Sequence, residues 1–225
     1  MNGLLVINKP SGWTSFDVVA KVRGMLRAKK VGHAGTLDPM ATGVLVLCVG
    51  NATKSVDKIM KTEKEYIGEI TLGATSNTDD ADGVITHCRP DPESSGEGPP
   101  PSLTDIQTHL LSFTGTYDQL PPQFSAKKVE GRRAYALARA GKTVDLKPVS
   151  VTVHELELLD YTWPVVKIRV RCGKGFYMRS LARDLGQKLS VGGYLSSLVR
   201  TRVGQYSIDE AITIEQVEQS RVFPL

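Results

Sequence analysis

Cysteine, histidine and aromatic residues are scarce in this sequence. Its three cysteines, Cys48, Cys88 and Cys172, are scattered through 225 residues. The set is odd and contains no C-x-x-C pair, which excludes a disulfide framework and a zinc knuckle and fits a reducing compartment. The four histidines, His33, His87, His109 and His154, show neither i, i+4 nor H-E-x-x-H spacing, so zinc-hydrolase chemistry lacks its ligand set. G-x-x-x-x-G-K-[ST], G-x-G-x-x-G and G-x-S-x-G are all absent. Their absence removes the common nucleotide-phosphate cradles and the serine nucleophile elbow. No apolar run approaches the roughly eighteen residues of a membrane span. The opening "MNGLLVINKPSGW" has neither the basic region nor the long apolar core of a signal peptide. A soluble cytoplasmic protein is the expectation. No interval of a few dozen residues recurs, which excludes solenoids and propellers.

What is present is an ordinary globular balance, 40% hydrophobic and 23% charged, with a formal charge of +4. That charge permits a polyanionic partner but is too mild to establish one. "GLLVINKP" reads as a strand stopped by Pro10, and Thr14 or Ser15 caps a helix whose buried stripe is Val18, Val19, Val22, Met25 and Leu26. "GVLVLCVG" reads as a buried strand and "TKSVDKIMK" as a capped helix. "KEYIGEITLG" alternates, with Tyr66, Gly68, Ile70 and Leu72 on one face. "NTDDADG" resembles the opening of a calcium loop, but Arg89 stands where the closing glutamate belongs, so it reads as a hairpin turn.

The segment "CRPDPESSGEGPPPS" cannot bury a core and reads as a surface insertion. Beyond it, "LTDIQTHLLSF" and "RRAYALARAG" read as helices, and "VSVTVHELELLDY" with "VVKIRVRCG" as two antiparallel strands. In the last of these, Lys167, Arg169 and Arg171 share a face that is either solvated or pressed on phosphate; charged outer faces of strands are commonplace, which favours the solvated reading. "GKGFYMRSLARDLGQKLS" gives a helix with Met178, Leu181, Ala182, Leu185 and Leu189 buried and Tyr177 and Arg179 off that stripe. The final segment "TIEQVEQS" reads as a helix. The whole is an α+β protein with a mixed, mostly antiparallel central sheet and flanking helices.

After these exclusions Asp38 stands out. It lies between Leu37 and Pro39, just ahead of a buried strand, in a turn where Gly32, Gly35 and Gly43 allow close backbone approach. An aspartate in such a turn can simply bond its own backbone; from the residues alone both a structural and a chemical role stay open.

The stretch "GHAGTLDPMATGVLVLCVG" resembles the signature of the TruB-type pseudouridine synthases, which modify the T-loop uridine of transfer RNA. "LLVINKPSGWTSFDVV", "KEYIGEITLGATSNTDDADG", "LPPQFSAKKVEGRRAYALARAG", "CGKGFYMRSLARDLG" and "YLSSLVRTRVGQY" resemble the family's other blocks, in the family's order. The resemblance implies the pseudouridine synthase fold and isomerisation of uridine to pseudouridine at position 55 of the T-loop, with no cofactor and no metal. It implies that Asp38 is the nucleophile, that Tyr66 stacks on the flipped uracil, and that Tyr177 and Arg179 complete the pocket. Leu198 would pack on the uracil from below, His33 would meet the RNA beside the flipped base, and Lys9 with Pro10 would support the catalytic loop and so the substrate site. For Tyr66 and Leu198 the alternative is plain core packing. A buried carboxylate tends to hold its proton, so a cation such as Arg179 is expected beside Asp38.

The resemblance runs to about Ile214, which gives a catalytic domain at 1–214. Within it, about 121–148 forms a basic insertion, and Lys127, Lys128, Arg132 and Arg133 are expected to meet the RNA backbone, with Arg139 and Lys142 nearby. Residues 215–225 would be a short tail in place of the family's C-terminal RNA-binding module. The implied partner is the T stem-loop of transfer RNA, with no membrane and no protein partner, acting as a monomer. Two other classes compete. A non-catalytic RNA-binding module would leave Asp38, Tyr66 and Arg179 without purpose, and a glycosidase needs a second carboxylate that the matched blocks do not offer beside Asp38.

Overall fold

The computed structural model describes residues 2–88, 99–125, 128–129, 132–133 and 144–219. In chain order these form β1 (Gly3–Lys9), α1 (Ser15–Met25), β2 (Val31–His33), β3 (Thr42–Val49), α2 (Val56–Met60), β4 (Lys64–Leu72), β5 (Ala74–Ser76) and β6 (Ile85–His87). There follow α3 (Leu103–Leu111), β7 (Gly115–Gln119), β8 (Lys128–Val129), β9 (Arg132–Arg133), β10 (Val149–Thr162) and β11 (Val165–Cys172). The last elements are α4 (Met178–Lys188), β12 (Gly193–Val203) and β13 (Tyr206–Ser207). The chain divides into two compact units, Met1–Ile67 with Leu198–Leu225, and Gly68–Ser197. Strands β4 and β12 therefore each contribute to both.

In the first unit the strand order is β1-β3-β12-β4, with β2 on β3 and β13 on β12. β1 and β2 run antiparallel to β3, whereas β12 runs parallel to it at Val199↔Thr42 and Arg200↔Gly43. The sheet is thus mixed. β1 and β3 are apolar on consecutive residues because both of their faces are covered. Leu5, Ile7, Leu45, Leu47 and Val49 pack with Val18 and Val22 of α1 and with Ile214 and Val217. Leu4, Val6, Val44, Val46 and Cys48 pack on the other side with Ala52, Ile59 and Val203. Burial pushes the Cys48 thiol up to about 11, so this cysteine behaves as a small apolar residue. The helix α1 starts where the sequence indicates: Thr14 and Asp17 cap each other's backbone N–H groups in a capping box.

In the second unit the order is β12-β4-β11-β10-β7, with β10 antiparallel to both β11 and β7. Val166, Ile168, Val170 and Cys172 are buried, and α3 packs on β10 and against α4. The cations on the opposite face of β11 meet carboxylates of neighbouring strands: Lys167 with Glu69 at 3.4 Å, Arg169 with Glu157 at 2.7 Å and Arg171 with Glu155 at 2.8 Å. This face is solvated and internally neutralised. The "NTDDADG" segment joins β5 and β6, which pair antiparallel as a hairpin.

Three sequence-based expectations need correction. "TKSVDKIMK" forms a 3-10 turn at Gly50–Ser55 followed by only five residues of α2, and Ser55 makes no side-chain cap. Ser55 already has helical backbone angles, so its hydroxyl is not aimed at the next turn's N–H groups. Of "RRAYALARAG", Arg132 and Arg133 form the strand β9 opposite Val129 and Lys128, and the remainder lies outside the described residues. "TIEQVEQS" closes as a 3-10 turn at Glu215–Gln219. No described helix is long and apolar enough to cross a membrane.

Candidate active site

Asp38 sits in the first unit, half-buried, on the eight-residue connection between β2 and β3. This loop is pinned at several backbone positions by side chains that water does not reach. The Lys9 ammonium, 0% exposed, donates to the carbonyl of Pro39 at 3.1 Å and to those of Pro10 and Trp13 at 2.8 and 2.7 Å. Ser15, 1% exposed, accepts from the Leu37 N–H at 2.8 Å and donates to the Leu37 carbonyl at 3.1 Å. Arg200, 1% exposed, donates to the carbonyls of Gly35 at 3.1 Å, Thr36 at 3.3 Å and Val44 at 2.8 Å. The residues on both sides of Asp38 are therefore clamped, and the Gly12 N–H closes on the Pro39 carbonyl at 2.9 Å.

A buried lysine and a buried arginine are costly unless their hydrogens are satisfied. Here backbone carbonyls satisfy them, and in return the loop is fixed. Two glycines make the arrangement possible. Gly43, at φ +99°, lies so close to β12 that a Cβ there would sit 2.3 Å from the Arg200 carbonyl oxygen; Gly35, at φ +112°, lets the chain pass the Arg200 guanidinium.

The other first-unit residues are distributed around this loop's strands. His33 ends β2, and its ring meets Phe16 edge-on, centroids 5.2 Å apart at 88°. Phe16 is 58% exposed. Tyr66 lies half-buried on β4, and Leu198 is buried on β12, two residues before Arg200 on the same strand.

In the second unit Tyr177 is the residue before α4. Its N–H donates to Gln119 Oε1 at 2.9 Å and its carbonyl accepts from Gln119 Nε2 at 3.1 Å, so a buried amide fixes this backbone. Arg179 lies in the first turn of α4 and is buried, not turned out to solvent as its place off the apolar stripe suggests. Its Nε lies 3.6 Å from Asp80 Oδ2, and its other nitrogens donate to the carbonyls of Thr78 at 3.2 Å and Phe124 at 3.0 Å. Asp80 in turn accepts from the Thr78 hydroxyl and the Asp82 N–H. Beside them Arg183 bridges Asp79 at 3.0 Å and Asp184 at 2.8 Å. Burial pushes both of these carboxyls above their usual range and outweighs the attraction of Arg183.

Sequence reading missed Ser15, Gln119, Asp80 and Arg200 as the partners that hold the Asp38 loop, Tyr177 and Arg179. A signal existed for one of them: Arg200 follows Leu198 at the strand period, so it falls on the buried face. Lys128, Arg132 and Arg133 lie on the β8–β9 hairpin, but their side chains, like Lys127 and most of the basic insertion, are outside the described residues. No group of three or more His, Cys, Asp or Glu placed to hold a metal occurs among the described residues.

Residues 23–178 match the family described as "TruB family pseudouridylate synthase (N terminal domain)", and residues 179–223 match "tRNA pseudouridylate synthase B C-terminal domain". The tRNA pseudouridine synthase B of Thermobifida fusca is 46% identical over 233 residues, covering 100% of this chain and 77% of the relative. That of Parabacteroides distasonis is 45% identical, covering 96% and 91%. Among solved structures, a chain of the crystal structure of a Cbf5-Nop10-Gar1 complex superposes with a TM-score of 0.73 at 29% identity, and a chain of an H/ACA RNP bound to a substrate RNA containing 2'-deoxyuridine does so at 0.69 and 28%. This chain is covered to 96% in both and spans about half of each of theirs, 54% and 52%. With a family match over most of its length and relatives above 40% identity, the chain belongs to the TruB family of pseudouridylate synthases.

Proposed function

We propose that this protein isomerises uridine to pseudouridine at the T-loop uridine of transfer RNA, position 55, with Asp38 as the nucleophile and no cofactor. The observation that carries the reading is the clamped loop: Lys9, Ser15 and Arg200 hold backbone groups on both sides of one carboxylate. A nucleophile held in one geometry loses little freedom on reaching the transition state. The names of the relatives supply the substrate class.

The reaction breaks the bond from uracil N1 to C1′, turns the base, and joins its C5 to C1′, with the C5 proton leaving and a proton returning to N1. No electron is gained or lost overall. A carboxylate that attacks and then leaves is sufficient for such a rearrangement. The target base is stacked within a folded loop, and its extrusion costs a few kcal/mol. Stacking on aromatic faces, about 1–3 kcal/mol per base, offsets this, and we assign it to Tyr66 and His33, with Leu198 and Tyr177 shaping the rest of the pocket. Arg179 is assigned the task of keeping Asp38 ionised, Lys9 acts on the loop from beneath, and the basic residues Lys127, Lys128, Arg132 and Arg133 attract phosphate. The reading includes a monomer acting in the cytoplasm.

The test is incubation with unmodified transfer RNA and with an isolated T stem-loop hairpin, followed by pseudouridine mapping. Modification at position 55 and at the equivalent uridine of the hairpin is expected. Pseudouridine at another position only, or none in either RNA, would refute the assignment.

A further inference from the structure

The cations among the described residues meet different fates. Lys9, Lys64 and Arg200 are buried against backbone carbonyls, and those on the outer face of β11 are matched by glutamates. A third group gathers at the far end of β3. There a cleft of about 500 Å³ is lined by Arg27, Lys29, Lys30 and Lys54 together with the amides of Asn2 and Asn51. All four cations are exposed, none of them pairs with a carboxylate among the described residues, and no carboxylate lines the cleft. Four like charges around one concavity repel one another, a cost that an anion in the cleft would remove.

The local backbone strengthens the case. Arg27 ends α1 with φ 47°, in the left-handed region, and the Ala28 N–H reaches back to the Arg23 carbonyl at 3.1 Å. Helices usually end this way on glycine, because a side chain in that conformation costs about 1–2 kcal/mol. An arginine stands there instead and lines the cleft.

The first unit alone fixes the distance to the chemistry. The Asp38 loop enters β3 at Thr42, and the cleft lies at Gly50, eight residues farther along an extended strand, which is roughly 25 Å at about 3.3 Å per residue. That span, the length of several base pairs at about 3.4 Å each, separates the cleft from the Asp38 loop, while Lys30, three residues before His33, keeps the cleft alongside nucleotides next to the flipped base. We propose that this cleft binds the phosphate backbone of the substrate RNA's stem, as a second anchor apart from the basic insertion. The inference rests on the RNA-modifying reading above and adds the place where the helical part of the substrate is held.

The test is the double variant Lys29→Ala/Lys30→Ala, with Kd for the T stem-loop hairpin measured across a salt series. Each lost phosphate contact should flatten the slope of log K against log salt by about 0.9 at most. The expected result is Kd weaker by at least tenfold near 0.1 M salt, a slope smaller by about 1 to 1.8, and kcat at saturating RNA within twofold. Lys167→Ala/Arg169→Ala removes the same charge from the neutralised β11 face and should leave Kd within twofold. An unchanged Kd and slope for Lys29→Ala/Lys30→Ala, or an equal loss in the β11 variant, would overturn the proposal while wild-type pseudouridine formation leaves the functional reading standing. A wild-type protein that neither binds nor modifies RNA would overturn both.

Discussion

The Arg179 guanidinium lies 3.6 Å from the Asp80 carboxylate, with both side chains about 95% shielded from water. Removing one member of such a pair leaves the other charge buried alone, which costs about 3–5 kcal/mol, more than the pair itself contributes. Arg179→Ala is therefore expected to lose stability by about 3 kcal/mol as well as turnover, and the two effects must be separated. Arg179→Ala/Asp80→Asn removes both charges, so at least half of the lost stability should return in urea unfolding while turnover does not. A double variant as unstable as the single one would show that Asp80 is not the partner that matters.

Asp38 and its clamps should fail in different ways. Asp38→Asn keeps the shape of the loop and removes the proposed nucleophile; the expected loss is at least about a thousandfold in turnover, roughly 4 kcal/mol, with RNA affinity within threefold. Lys9→Met keeps the Asp38 carboxylate and strips a donor from the carbonyls of Pro10, Trp13 and Pro39. The Pro39 carbonyl keeps the Gly12 N–H, and each hydrogen bond lost to the buried ammonium is worth about 1.5–3 kcal/mol. A lowered Tm is expected together with a kcat reduced about ten- to a hundredfold at nearly unchanged KM. If Asp38→Asn kept turnover within tenfold of wild type, the nucleophile would lie elsewhere.

Gly43, on β3 just after this loop, is the position where the chain meets β12. A methyl group there would lie 2.3 Å from the Arg200 carbonyl oxygen and 2.9 Å from its nitrogen, and φ +99° is unsuited to any L side chain. Both atoms at risk are backbone, so no side chain can swing away. Gly43→Ala should force the parallel pairing of β3 and β12 apart, shift the Arg200 clamp, and cost more than about 3 kcal/mol in chemical denaturation. A variant within about 1 kcal/mol of wild type would mean that the strand contact is slack and that the loop does not depend on it.

How much of this was legible in the sequence depended on range. The β1, β3 and α1 core follows from apolar runs and the helical period, and Thr14 with Asp17 marks the start of α1, because these signals act between near neighbours. The paired cations of β11 were half legible: alternation placed Lys167, Arg169 and Arg171 on one face, but their partners lie on β4 and β10, which only the strand register brings alongside. Asp80 was read as part of a turn, which it is; its burial against Arg179, about a hundred residues later, has no local signature. The same holds for Ser15 beneath Leu37 and for Gln119 beside Tyr177. The family resemblance pointed to the residues proposed to react and left the residues that hold them to be found in the structure.

Asp79 offers a test of the electrostatics around α4. Burial raises its carboxyl above the usual value despite the Arg183 bridge at 3.0 Å. A group whose pKa is higher in the folded state adds stability that is fully present below its unfolded pKa and is lost as pH rises through the folded one. An asparagine in its place would not titrate, would still accept from Arg183, and suits the left-handed backbone at φ 62°. Asp184 shifts in the same direction and is present in both proteins, so to first order it cancels in the comparison. The stability of wild type relative to Asp79→Asn should therefore be greatest below the ordinary carboxylate range, near about pH 3.5, and decline toward neutral pH, followed as urea midpoints in parallel titrations. The opposite trend, wild type gaining on the variant as pH rises, would show that the attraction of Arg183 outweighs burial and that the Asp79 carboxylate is a stabilising charge in its own right.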